Sequence, residues 1–162
     1  MILVSACLLG HRVKYNGGHN LQELLSRYNA RGHFLAVCPE CLGMLPVPRL
    51  PMEIYGGTGE MVLSGEAQVK NLRGETATSN FTYGASRVLD TVHAYGIQVA
   101  ILKESSPSCG VHSIYDGTFS EARVEGHGVC AALLAAHGVT LYSEKDLTAV
   151  LLEKLLADDI GI

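Results

Sequence analysis

The sequence contains no tryptophan, and its aromatic residues are three Phe and seven Tyr. Charge is scarce too. Asp, Glu, Lys and Arg make up 17% of the chain, and 12 basic against 16 acidic residues leave a formal charge of −4. That balance excludes a broadly basic nucleic-acid footprint, so free nucleic acid is not an expected partner. A hydrophobic content of 48% excludes a disordered chain. No apolar run approaches the ~18 uncharged residues of a transmembrane helix, so no membrane role is expected. Met1 to Leu9 are apolar but lack a basic leader and stop at Gly10-His11-Arg12. They read as a strand rather than a signal peptide, and a reducing cytoplasmic setting is the expectation. No GxGxxG or Walker loop follows that strand, which weakens a plain nucleotide-binding reading. There is no internal repeat, and 162 residues are one domain's length, so a single domain over 1–162 is expected.

What the chain does have is glycine, 18 residues, and five cysteines: Cys7, Cys38, Cys41, Cys109 and Cys130. Excess glycine points to tight loops and close backbone approaches. An odd cysteine count in a domain large enough to fold unstapled argues against a disulfide framework. Buried, catalytic or metal-bound thiols are the alternatives.

The hydrophobic pattern alternates strands with helices. Residues 1–7, 33–38, 97–103 and 139–142 are short apolar runs bounded by Gly or Pro and read as buried strands. Asn20 is placed to cap a helix running to about Ala30. Phe81, Gly84, Ala85, Val88, Leu89 and Val92 share one face of a helix over about 80–95 that Gly96 closes. A further helix is expected over 124–137. The last one runs to about Asp158, begins at a Ser143–Asp146 capping box, and carries Leu147, Val150, Leu151 and Leu155 on one face. Four prolines between Pro39 and Pro51 predict a stiff, irregular loop in which no helix starts. Residues 52–75 read as a loop or small hairpin, and 113–116 as a short strand. The economical fold is α/β: a three-layer, Rossmann-like sandwich around a mostly parallel sheet. In such a sheet the ligand crevice lies outside the carboxyl ends of the strands.

Granted that fold, Cys7, Cys38 and Cys109 fall at or just beyond the ends of three strands and converge on one edge. Three cysteines without clustered histidine suit soft metals or an iron–sulfur cluster. A [4Fe–4S] cluster on three cysteines leaves one iron free of protein ligands, which favours substrate chemistry over electron transfer. Two other readings stay open: a structural zinc closed by Cys41 as fourth ligand, and a sulfur-carrying or thiol-redox pair in Cys38-Pro39-Glu40-Cys41. Cys130, in the apolar run GVCAALLAA, reads as core. Lys103 with Glu104 reads as a mutual or surface pair, and Arg49 as a solvated loop arginine. Tyr15, Asn16, Gly17, Tyr115 and Asp116 are candidate pocket residues. The seven histidines show no ligand spacing.

The segments VSACLLG at 4–10, VKYNGGH at 13–19, VCPECLGMLPVPRLPMEI at 37–54, AILKESSPSCG at 100–110, IYDGTF at 114–119 and GHGVCAALL at 126–134 closely resemble the thiouracil desulfidase (2-thiouracil desulfurase) family. The combination of SAC, CPE and SPSCG is specific, and the resemblance runs over about residues 2–144. It implies a [4Fe–4S] cluster held by Cys7, Cys38 and Cys109. It also implies a catalytic carboxylate at Glu40 and a hydroxyl partner at Ser106, with Ser108 a weaker candidate. The implied reaction removes sulfur from a small thiolated uracil as sulfide, without net redox change. Asn16 stands where the family commonly has Asp, Cys41 where it has Val, and residues 74–80 lack its Asp-Val-Thr run. The segment 145–162 lies mostly outside the shared pattern. The sequence leaves the oligomeric state open.

Overall fold

The structure, a computed structural model, describes residues 1–159. In chain order its elements are β1 (Ile2–Ser5), α1 (Glu23–Asn29), β2 (Phe34–Val37), α2 (Pro39–Leu42), β3 (Met52–Tyr55), α3 (Gly59–Leu63), β4 (Gln68–Asn71), α4 (Thr78–Tyr95), β5 (Val99–Leu102), β6 (Ser113–Tyr115), β7 (Arg123–Glu125), α5 (Val129–Ala136), β8 (Thr140–Ser143) and α6 (Ala149–Asp158). Single 3₁₀ turns follow β1 at Ala6–Leu9 and β8 at Glu144–Asp146.

The central sheet has the order β2-β1-β5-β8, and every pairing in it is parallel. Its strands are the four apolar runs read from the sequence. Strand side chains alternate between the two faces, and the core divides accordingly. Leu3, Ala100 and Leu102 pack with Phe81 and Val88 of α4 and Leu134 of α5. Ile2, Val4 and Ile101 pack with Leu25 of α1 and with Leu152, Leu155 and Leu156 of α6. Helices on both faces of a parallel sheet make the expected three-layer α/β sandwich. Two antiparallel hairpins, β3–β4 and β6–β7, stand outside it. No helix among the described residues is long and apolar enough to cross a membrane.

Several local expectations change. A helix does start in the proline-rich segment, with Pro39 in the first turn of α2. Proline is a good first residue because its missing N–H has no partner there anyway. The helix expected over 124–137 is β7 followed by α5, so its first turn is extended chain. Asn20 does not cap α1: Gln22 holds that position without a side-chain bond, and the Asn20 backbone N–H instead donates to the Cys7 carbonyl at 2.9 Å. The Ser143–Asp146 capping box is present but opens the 3₁₀ turn; Thr148 caps α6 through a bond from Leu151 N to its Oγ1 of 3.1 Å. Val150 faces solvent, 82% exposed, and Leu152 takes its place in the core. Of the C-terminal segment 145–162, residues 160–162 lie outside the described residues.

The contact between α2 and α4 sets the position of the Cys38-Pro39-Glu40 segment. It is close because both helices present glycine. A Cβ on Gly84 would sit 2.0 Å from the Pro39 carbonyl oxygen, and one on Gly43 2.2 Å from the Asn80 carbonyl oxygen. Asn80 Nδ2 then donates to Gly43 O at 2.8 Å. Gly84→Ala therefore forces the backbones apart. The expected cost is about 1–3 kcal/mol in urea unfolding, the range for an overpacked interior. An unchanged unfolding midpoint would contradict this account of the contact.

Candidate active site

The carboxyl ends of β1, β2 and β5 lie side by side, so the residues that follow them meet. Cys7 sits in the 3₁₀ turn after β1, Cys38 directly after β2 ahead of α2, and Cys109 in the loop after β5. All three line one cavity of about 570 Å³, together with Glu40, Ser106 and Ser108. That volume lies in the ordinary small-molecule range. Cys41 and Cys130 do not line it. Cys41 faces an adjoining groove with Leu35, Leu42 and Tyr95, whose lining Cys38 shares, and Cys130 is buried in α5. Tyr15 and Tyr115 reach the cavity. Asn16, Gly17 and Asp116 do not: Asn16 Oδ1 accepts from Gly18 N at 2.9 Å and Asp116 Oδ1 from Thr118 N at 2.9 Å, so both shape turns.

Glu40 lies in the first turn of α2 with its side chain 16% exposed. Its Oε2 accepts from Ser108 Oγ at 3.2 Å, and its Oε1 is 3.5 Å from Arg49 Nε. Burial pushes the carboxyl above the usual range, and the Arg49 charge and the Ser108 hydroxyl pull against that rise. Ser106 does not touch Glu40 in the structure. Its Oγ is 3.0 Å from Ser108 Oγ and accepts from Ser108 N at 3.2 Å and Cys109 N at 3.1 Å. Because Ser108 gives its proton to Glu40, Ser106 gives its own to Ser108. Ser108, which the sequence ranked below Ser106, is thus the link to the carboxylate.

Three other residues depart from their sequence reading. Arg49 is buried, its side chain 4% exposed, with Nη1 donating to Pro46 O at 3.1 Å and Nη2 to Val13 O at 2.9 Å. Lys103 and Glu104 are not ion-paired with each other. Lys103 Nζ donates to the Glu104 backbone carbonyl at 2.8 Å and lies 3.4 Å from the Glu144 carboxylate. The Glu104 carboxylate turns inward, and its Oε1 accepts from the backbone N–H groups of Ser105, Val111, His112 and Ser113 at 2.9–3.1 Å. These bonds close the loop that carries Ser106, Ser108 and Cys109.

Residues 2–146 match the family profile of 2-thiouracil desulfurase. The chain belongs to the 2-thiouracil desulfurase family. It is similar to YbbK of Bacillus subtilis (strain 168), a protein described only as uncharacterized, with 43% identity over 151 residues that cover 93% of this chain and all of that one. A solved structure of TudS, a [4Fe-4S]-dependent thiouracil desulfidase, superposes with a TM-score of 0.82 at 40% identity, covering 96% of this chain and 97% of that chain. The 2-thiouracil desulfurase match ends at residue 146, so α6 lies beyond it.

The thiols at the cavity of this 2-thiouracil desulfurase family member are a soft donor set without clustered histidine, of the kind that suits soft metals or an iron–sulfur cluster. Among the described residues no three His, Cys, Asp or Glu side chains gather closely enough to ligate one metal ion. Thiolates around one zinc crowd within about 4 Å of one another, given Zn–S bonds near 2.3 Å. A cubane spreads its cysteine ligands over separate irons. Burial pushes the thiol pKa up at Cys7, Cys38 and Cys109, at Cys109 to about 12 against the pull of hydroxyl bonds from Ser5 and Ser108. A dithiol redox pair needs the reverse, a lowered pKa at its attacking thiol, so Cys38 is poorly set for that role. Buried thiols of this kind ionise when a metal group binds them.

Burial pushes the Glu104 carboxyl up, but the four amides outweigh it and hold it below the usual carboxylate range. A folded pKa below the unfolded one contributes stability that is present above the unfolded value and lost as pH falls through the folded one. Glu104→Gln keeps an acceptor oxygen but not the charge. It is expected to cost about 1–3 kcal/mol at pH 7, with the gap to the unaltered chain closing as the pH falls through the carboxylate range. Urea unfolding across that range checks it, and a gap independent of pH would contradict it.

Proposed function

We propose that this chain removes sulfur from a thiolated uracil by hydrolysis. Water supplies the oxygen that replaces sulfur, the C=S bond becomes C=O, and sulfur leaves as hydrogen sulfide. Carbon keeps its oxidation state, so no electron donor or acceptor is needed. The observation that carries this reading is the convergence of Cys7, Cys38 and Cys109 with the Glu40–Ser108–Ser106 hydrogen-bonded chain in one small-molecule cavity. The similarity to TudS supports it.

Cys7, Cys38 and Cys109 would hold a [4Fe–4S] cluster. When bound, that cluster supplies one iron without a protein ligand, a soft Lewis acid matched to the soft thiocarbonyl sulfur. The rest of the chemistry belongs to this chain's side chains. Glu40 takes a proton from the attacking water and returns it to the sulfur, then takes the proton of the added hydroxyl as C=O forms and hydrosulfide leaves, and that second proton completes hydrogen sulfide. Its burial and raised pKa suit a group that must both accept and give a proton. Ser108 fixes which carboxylate oxygen is free, because it occupies Oε2. Ser106, half-buried at the cavity wall, turns its hydroxyl from Ser108 to the substrate and bonds the ring or the oxygen on which negative charge develops.

The test is Glu40→Gln, compared with the unaltered chain at equal iron content under anaerobic conditions. Uracil and sulfide should form from 2-thiouracil in a one-to-one ratio with the unaltered chain. The variant should keep its iron and turn over about 10²–10⁴ times more slowly. Undiminished turnover would remove Glu40 from the mechanism.

A further inference from the structure

Part of the cavity lining belongs to residues that the desulfurising chemistry does not use. The β6–β7 hairpin contributes Tyr115 and Phe119, and β3 contributes Met52 and Glu53. Phe119 stands out by its backbone, with φ at +56°. That left-handed conformation is unfavourable for a bulky side chain, and residues are kept in it only where their surroundings over-determine it.

The surroundings do so here. Glu53 is 9% exposed, and its Oε1 accepts from Gly117 N at 2.9 Å and from Phe119 N at 3.1 Å. Gly117 lies against β3 so closely that a Cβ on it would be 2.6 Å from Ile54 O. The hairpin tip is therefore clamped to β3 on both sides of Thr118, and the clamp aligns the Phe119 backbone against its own preference.

Three aromatic rings line the cavity, those of Tyr15, Tyr115 and Phe119. Tyr15 is 44% exposed, and Tyr115 already carries the Arg123 guanidinium 5.4 Å from its ring centre. Among the described residues Phe119 takes part in no ring–ring or cation–ring contact. An aromatic ring that lines a cavity of this size, with no other ring or cation against it, offers a stacking surface for a flat conjugated ring.

We infer that Phe119 is the platform on which the substrate's ring stacks, that it selects flat conjugated heterocycles, and that Glu53 is its positioning residue. This rests on the thiolated-uracil reading. Stacking reads flatness, while Glu40 and Ser106 act at the ring's edge.

Uracil and 5,6-dihydrouracil separate the two kinds of recognition. Both offer amide N–H and C=O groups along the ring edge, but the saturated bond of dihydrouracil puckers its ring. Dissociation constants are measured by calorimetry on the cluster-loaded chain and on Phe119→Leu, Phe119→Tyr, Glu53→Ala and Glu53→Gln. The unaltered chain should bind uracil roughly ten-fold or more tighter than dihydrouracil. Phe119→Leu should weaken uracil binding by a similar factor and erase the preference, while Phe119→Tyr retains it. Glu53→Ala should behave like the leucine variant. Glu53→Gln, which keeps one oxygen for both amides, should retain most of the preference. Equal uracil affinity in the unaltered chain and Phe119→Leu would overturn the inference. So would the absence of a preference, or no binding of either pyrimidine, in the unaltered chain.

Turnover of 2-thiouracil by the same unaltered preparation judges the underlying reading separately. Turnover with no effect of Phe119→Leu on binding sinks the platform alone. A uracil preference that depends on Phe119, without turnover, upholds the platform and sinks the desulfidase reading.

Discussion

The loop after β5 depends on one carboxylate oxygen. Glu104 Oε1 gathers four backbone N–H groups, from Ser105 at one end of the loop to Ser113 at the other. Without it those donors would lie in a poorly hydrated region with no acceptor, a costly arrangement for backbone groups. The bonds also hold Ser105 at a φ of +64°, the left-handed conformation that turns the chain back on itself. Inside the closed loop Ser106 Oγ caps the amides of Ser108 and Cys109, so the Cys109 sulfur and both hydroxyls are positioned by backbone rather than by flexible side chains.

The opposite partner is positioned in an unrelated way. Cys38 and Glu40 ride on α2, and α2 is seated on α4 by the Gly84 and Gly43 contacts. The Ser108–Glu40 bond joins the two halves, one fixed by electrostatics and the other by close packing. Arg49 strengthens the junction: two backbone carbonyls hold its guanidinium, and its charge lies beside the carboxylate that burial would otherwise neutralise. The carboxylate proposed to handle the proton is thereby fixed in place, and a misplaced catalytic group loses rate.

The sheet was legible in the sequence because short apolar runs bounded by Gly10, Pro39 and Gly138 have few other readings. The cysteine edge followed from the sheet, since strand ends in a parallel sheet lie together whatever separates them in sequence. What escaped was set by distant partners. Nothing near Glu104 in sequence announces that its carboxylate will meet amides up to nine residues on, and the polar context of Arg49 resembles that of a solvated loop. Pro39 was read as a helix breaker, although at the first position of a helix it is a starter. Val150 lies three residues after Leu147, a helical spacing, yet faces solvent, because the buried stripe of α6 runs through Leu152, Leu155 and Leu156. The Phe119 backbone conformation could not be foreseen, since it is imposed by Glu53 from another hairpin.

The proposed function requires that Cys7, Cys38 and Cys109 hold a four-iron cluster at this sheet edge. The most direct test is to count iron and acid-labile sulfide on anaerobically reconstituted chain and record the visible spectrum of the same sample. The account predicts a brown protein with about four irons and four sulfides per chain, and loss of both when Cys7, Cys38 or Cys109 is replaced by alanine but not when Cys130 is. A colourless protein that holds a single zinc, or that takes up no iron on reconstitution, would contradict it.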